Sequence, residues 1–148
     1  MATLERSAIR QRIATAVGAL SGYSQSRWVP EHFGLDPSGL LHKSFAVAYG
    51  GGAPAPFSAG QRQRLSDGFR QASRFSVRVC YRLRGDAQIS DYDSALDGLG
   101  LLQLTVMGVS MADLHIQIDG DTSPEVWRTG EWFLGRLNFL CYHRLPLT

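Results

Sequence analysis

The segment RFSVRVCYRLR, residues 74 to 84, constrains the fold more than any other stretch of this chain. In extended conformation Phe75, Val77, Val79, Tyr81 and Leu83 fall on one side, and Arg74, Ser76, Arg78, Cys80, Arg82 and Arg84 on the other. A period of two this regular predicts a strand, with one face in a core and the other largely guanidinium. Such a strand needs paired neighbours and an apolar layer over its hydrophobic side, which restricts the chain to a layered sheet architecture.

The flanking sequence supplies those partners. Residues 3 to 21 place Ile9, Ile13, Val17 and Leu20 on one side of a helix ended by Gly22. Residues 22 to 41 mix Gly, Pro, Ser and Asp with scattered aromatics, predicting a packed connection anchored by Trp28 and Phe33. Phe45, Val47 and Tyr49 alternate with small residues as a strand does, and GGGAPAP then predicts its abrupt end. From about residue 50 to 70 the chain is too rich in Gly, Pro, Gln and Arg to offer a core face, and reads as a mobile loop with a helical turn near Gln61 to Phe69. Ser90 with Asp93 three residues on predicts a capping box opening a second helix, whose core stripe is Tyr92, Leu96, Leu99, Leu102 and Val106. Leu114, Ile116 and Ile118 form a further strand. Trp127 to Leu145, apolar at both parities, reads as one strand buried on both sides. The expected fold is therefore α+β: a mixed, mainly antiparallel sheet of about four strands, two helices packed on one face, and a long strand-strand loop.

With 148 residues, 44% of them apolar, a single domain over 1–148 is expected, burying roughly 68–70% of its unfolded surface without help from metal or disulfide. Charged residues make up only 19%, and the formal net charge is +2. That balance gives no sequence-independent grip on DNA or an anionic membrane. No apolar run has the length of a membrane span, and Glu5, Arg6, Arg10 and Arg12 stand where a signal peptide needs an apolar centre, so a cytoplasmic site of synthesis is expected. Cys80 and Cys141 lie far apart, without metal-ligand spacing, and read as buried free thiols.

Catalytic chemistry finds no foothold in the pattern. His32, His42, His115 and His143 form no HxH, HExxH or Cys/His cluster, and the DGD turn at 119–121 lacks the further oxygen ligands of a calcium loop. No nucleophile elbow or phosphate-binding glycine loop occurs. No cofactor, metal or catalytic residue is expected. What stands out is an Arg ladder, Arg74, Arg78 and Arg82, repeating at about 13 Å along one strand face. Guanidinium groups so placed suit carboxylates of a neighbouring chain or phosphates of nucleic acid, whereas a solvated strand face is the ordinary alternative. Stacking aromatics are not interleaved on that strand face, which disfavours sequence-specific single-strand binding.

The Arg-flanked first helix, the strand RFSVRVCYRLRG, the acidic helix opening DYDSALDGL, the strand LHIQIDGD and the closing segment EWFLGRLNFLCYHRL together resemble the tail terminator, or tail completion, proteins of long-tailed bacteriophages. The resemblance implies a non-enzymatic virion subunit, assembled in the host cytoplasm. It would form a ring of six on the tail tube, end tube polymerisation and dock to the head-tail connector or neck protein. DNA would be met only in transit through the lumen, and no membrane would be involved. On that reading Arg74, Arg78, Arg82 and Arg84, with Arg62 and Arg64 of the 50–70 loop, face carboxylates such as Asp91, Asp93 and Asp97 on the adjacent protomer or the tube. Head-closure and tube proteins share overlapping patterns. A DNA-packaging accessory, and a small-molecule binder or enzyme with a noncanonical site in the sheet-helix cleft, are the competing classes.

Overall fold

In a computed structural model the alternating segment, as far as Arg82, forms the C-terminal part of a long strand, β3 (Phe69–Arg82). Residues 3–35, 40–54, 69–119 and 125–146 are described. The other elements are α1 (Arg6–Gly18), β1 (Ser24–Gln25), a 3-10 turn (Pro30–His32), β2 (Ser44–Pro54), α2 (Gln88–Met107), β4 (His115–Ile118), β5 (Glu125–Thr129) and β6 (Trp132–Leu145). β6 runs antiparallel to β3 along its whole length, from Phe69 opposite Leu145 to Arg82 opposite Trp132. The sheet order is β1-β2-β3-β6-β4, with β5 beside the other half of β6. Among the described strands only the short β1–β2 pairing is parallel. The fold is α+β and mainly antiparallel, with β1 and β5 added to the four strands expected.

Both helices cover the same face. Ile9, Ile13 and Val17 of α1 and Ala95, Leu99, Leu102 and Val106 of α2 pack with Phe45, Val47, Phe75, Val77, Val79, Tyr81, Leu137 and Phe139 of the sheet. Each such side chain contributes roughly 1.5–3 kcal/mol by leaving water. Gly135 sits in the middle of β6 because α2 comes so close there: a Cβ would lie 2.7 Å from Leu99 Cδ2. On the opposite face the 22–41 connection supplies a second, smaller cover, in which Phe33 and Leu40 close over Ala46, Cys80 and Leu134. Phe33 is the anchor that was expected, whereas Trp28 is 67% exposed.

Several local expectations are corrected. GGG does not end β2: one extra residue between Tyr49 and Gly52 forms a bulge, Gly51 takes φ 100°, and pairing with β3 resumes to Pro54. The expected loop is thus strand at both ends, while 55–68, with Arg62, Arg64 and the expected helical turn, lies outside the described residues. The capping box at Ser90 does not form. α2 begins at Gln88, its N-cap is Ala87 without a side-chain cap, and Asp91 turns back to Arg84 instead. Tyr92 and Leu96 leave the core stripe, each 43% exposed, and Ala95 joins it; the Tyr92 ring lies edge-on to Phe133 at 5.4 Å. The segment read as one strand from Trp127 is a hairpin, β5 and β6, turning at Gly130 with φ 58°.

Candidate functional site

β3 sends Arg70, Arg74, Arg78 and Arg82 to the face away from the helices, and register brings Arg144 opposite Arg70 and Arg136 opposite Arg78. Facing guanidinium pairs repel, so this face needs counter-charge. Much of it comes from the chain itself. Arg74 Nε lies 3.4 Å from the carboxylate of Asp119, which is buried. Arg78 donates from Nη1 to the Pro30 carbonyl at 3.2 Å. Arg82 Nε reaches Glu131 Oε2 at 3.3 Å. Arg70, Arg136 and Arg144 escaped sequence reasoning because their place on this face depends on strand register, although the shared parity of Arg136 and Arg144 within the last strand was a signal.

The same register revises the aromatic content of this face. Tyr142 of β6 stands opposite Ala72, between the Arg70 and Arg74 rows, and His115 of β4 stands opposite Tyr142. Their rings stack at 6.2 Å with 29° between planes. Aromatics absent from the Arg face of β3 are therefore supplied by neighbouring strands.

Arg84 and Asp91 belong to a different place. Past the end of β3, Arg84 donates to Asp91 from its backbone N–H (2.8 Å), Nε (3.0 Å) and Nη2 (2.9 Å). Asp91 is held down to about 2, first by the side-chain bonds from Arg84 and then by its backbone N–H. Asp91 is thereby engaged within its own chain, while Asp93 and Asp97 of α2 remain exposed. Arg82, Arg84, Asp91 and Asp97 together line a cleft of about 770 Å³ between the end of β3 and α2, with Tyr23, His42, Lys43 and Tyr81.

The cleft floor is a pair of buried tyrosines whose hydroxyls are 2.9 Å apart, with rings edge-on at 6.3 Å. Burial pushes both phenols above their ordinary value. They meet beneath Gly98, where a Cβ would lie 2.6 Å from the Tyr81 hydroxyl and 2.9 Å from that of Tyr23. His42 Nδ1 accepts the Arg82 N–H at 3.1 Å, and its protonation is disfavoured first by burial and next by Lys43.

A second polar cluster lies at the opposite end of β3. The Ser73 hydroxyl and His143 Nε2 are 2.7 Å apart, and His143 Nδ1 lies 2.9 Å from the Leu4 carbonyl. Since Nδ1 faces an oxygen that can only accept, it carries the proton and Ser73 donates to Nε2. The geometry is that of a nucleophile and base, yet both residues are buried and the third group is a backbone carbonyl, so the cluster ties the N-terminal segment to the sheet. Among the described residues no group of three or more His, Cys, Asp or Glu is arranged to hold a metal ion, and no helix is long and apolar enough to cross a membrane.

No protein-family model matches this sequence, and no curated protein is significantly similar to it.

Proposed function

We propose that the chain is a structural subunit that associates head to tail into a closed ring, in the manner of the phage tail terminators its sequence resembles. The observation that carries this reading is the pair of unlike surfaces on opposite sides of the sheet. One side presents arginines from β3 and β6. The other presents α2, which contains no Lys or Arg, carries Asp93 and Asp97 at its surface, and exposes Leu96, Leu101, Leu104 and Met107. Surfaces that differ yet complement each other in charge favour a heterologous contact, and such contacts close into rings when the rotation between the patches permits. Ionic attraction would orient the approach and the exposed leucines would supply the area that leaves water.

In this reading the ring has six subunits, sits on the tail tube, stops its growth and offers its far side to the head-tail connector or neck protein within the virion. Arg74, Arg78 and Arg82 face the neighbour's Asp93 and Asp97, while Arg84 and Asp91 shape the edge of α2 from within one chain. Electron microscopy of the purified chain, alone and with polymerised tube protein, tests this directly: rings of uniform diameter, or caps on tube ends, are expected. Arg82→Glu and Leu104→Asp should each abolish them while leaving the circular dichroism spectrum unchanged. Rings that survive both substitutions would refute the assigned faces. No ring and no cap under either condition would refute the function.

A further inference from the structure

Lys43 is the only lysine beside fourteen arginines in this chain, and it occupies a backbone conformation that disfavours any side chain. Its φ is 61°, in the left-handed region that costs a residue with a Cβ and that glycine adopts freely. The surrounding structure enforces the conformation: the Lys43 N–H donates to the Cys80 carbonyl at 2.8 Å, and its carbonyl accepts the Ser24 N–H at 3.2 Å. The side chain runs over Gly22, whose Cβ position would be 3.4 Å from Lys43 Cδ, and the ammonium sits above the Tyr23 ring at 5.2 Å. Strain held in place by its surroundings at the mouth of a cleft points to function.

Donors outnumber acceptors around it: the carboxylates in the cleft lining are Asp91, which Arg84 holds, and Asp97 on the outer face of α2. The two tyrosine hydroxyls carry two protons, and their mutual bond uses one, leaving the second without an acceptor among the described residues. His42 accepts at Nδ1, so its neutral ring bears the proton on Nε2. Lys43 forms no ion pair among the described residues, whereas Arg84 is neutralised by Asp91 and Arg82 by Glu131. Leu20, Leu101 and the tyrosine rings make up the apolar wall.

We propose that this cleft binds a compact organic anion, a carboxylate or phosphate on an apolar body, with Lys43 as its counter-charge. The anionic oxygens take donors from Lys43, His42 and the tyrosine pair, and the apolar body lies against Leu20 and Leu101. The site does not rest on the ring proposed above and is tested on the dissociated chain, because Leu101 also lies on the α2 face assigned to the ring contact.

The probes are benzoate and phenyl phosphate, with benzyl alcohol as the neutral analogue, followed by titration calorimetry on the full chain. At least one anion should bind, and benzyl alcohol should bind about tenfold more weakly or worse, the ratio that one charge-assisted hydrogen bond supports. Preference between the two anions identifies the headgroup. Lys43→Met, which keeps the stem and removes the charge, should cost at least about tenfold in affinity. Lys43→Gly should lose binding to the same degree while raising the thermal midpoint, because it relieves the left-handed strain; a merely structural lysine would give no such opposition. Absence of binding by both anions up to about 10 mM, equal binding of benzyl alcohol, or full affinity in either variant would overturn the proposal.

Discussion

Gly98 and Gly100 stand two residues apart in α2, and substituting each with alanine should move stability in opposite directions. On intrinsic propensity alone both changes favour the helix by about 1 kcal/mol. At Gly100 nothing lies within 4 Å of the added methyl, so Gly100→Ala should realise that gain. At Gly98 the methyl would come within 2.6 Å of the Tyr81 hydroxyl, 2.9 Å of the Tyr23 hydroxyl and 3.0 Å of Tyr81 Cζ. The tyrosines are buried and cannot swing into solvent, so the clash is relieved by moving α2 or by separating the hydroxyls. Overpacking of this kind costs about 1–3 kcal/mol, and losing the Tyr23–Tyr81 hydrogen bond adds about 1 kcal/mol. After subtracting the propensity gain, Gly98→Ala should destabilise by about 1–3 kcal/mol. The two variants should thus differ by about 2–4 kcal/mol, a separation of roughly 6–13 °C in thermal midpoint for a chain of this size. Urea denaturation of both variants and of Gly98→Ala combined with Tyr81→Phe measures it. Removing the nearer hydroxyl should recover part of the loss, and that coupling isolates the contact from general helix effects. If Gly98→Ala stabilises as much as Gly100→Ala, or if Tyr81→Phe shows no coupling, the close approach of α2 to the tyrosine pair is wrong.

Stability should also fall on mild acidification through His143. Burial, the first cause, lowers its protonation below the ordinary histidine value, and nearby Arg6 adds to this against the opposing bond to Leu4. The unfolded chain therefore binds the proton more readily, so stability is complete above about pH 7 and declines as pH falls through the depressed value, by at most about 1.4 kcal/mol per pH unit. Urea midpoints from pH 8 to 5 should show this slope, and it should fall in His143→Gln and also in His42→Gln, whose disfavoured protonation acts with the same sign; an unchanged slope in His143→Gln refutes the assignment. On the second sheet face, Phe33→Ala should cost about 3 kcal/mol because the ring fills the cover over Cys80 and Leu134. Trp28→Ala, at an exposed position, should change stability by about 0.5 kcal/mol or less in the same assay.

What the sequence revealed of this fold was whatever repeats locally. The alternation in β3 and the helical spacing of Ile9, Ile13 and Val17 identify buried faces because periodicity and burial have the same cause. Glycine-rich stretches misled where a bulge or a hairpin used them: Gly51 carries β2 onward, and Gly130 divides what looked like one strand into two. Tyr92 was misplaced because its ring meets Phe133 from the rim of the helix and the stripe itself passes through Ala95. The cleft was less legible still. Arg84 and Asp91 could be named from sequence, but they were assigned to a contact between chains, whereas proximity in space joins them within one. Tyr23, His42 and Lys43 come from a connection with no periodicity to read, and only pairing with β3 brings them beside Tyr81 and Gly98.

In the proposed ring, the internal pairing of the Arg face does not remove those residues from the contact between subunits; it would prepare them for it. A free arginine on a surface gives up considerable rotamer entropy when a partner immobilises it, on the order of 2 kcal/mol for a fully mobile chain. Arg74 against Asp119, Arg78 against Pro30 and Arg82 against Glu131 are already oriented by at least one contact each. Asp119 is the informative partner, since a buried carboxylate holding a half-exposed arginine fixes direction more firmly than an exposed one can. Asp119→Asn should therefore weaken association through Arg74 while leaving that arginine in place, and should do so mainly by slowing productive docking rather than by removing a contact. Association measured by sedimentation should fall less than in Arg74→Glu, and raising the salt concentration should narrow the difference between the two variants, because screening acts on the charge reversal more than on the loss of orientation. Equal losses at every salt concentration would mean that Asp119 supplies charge balance alone.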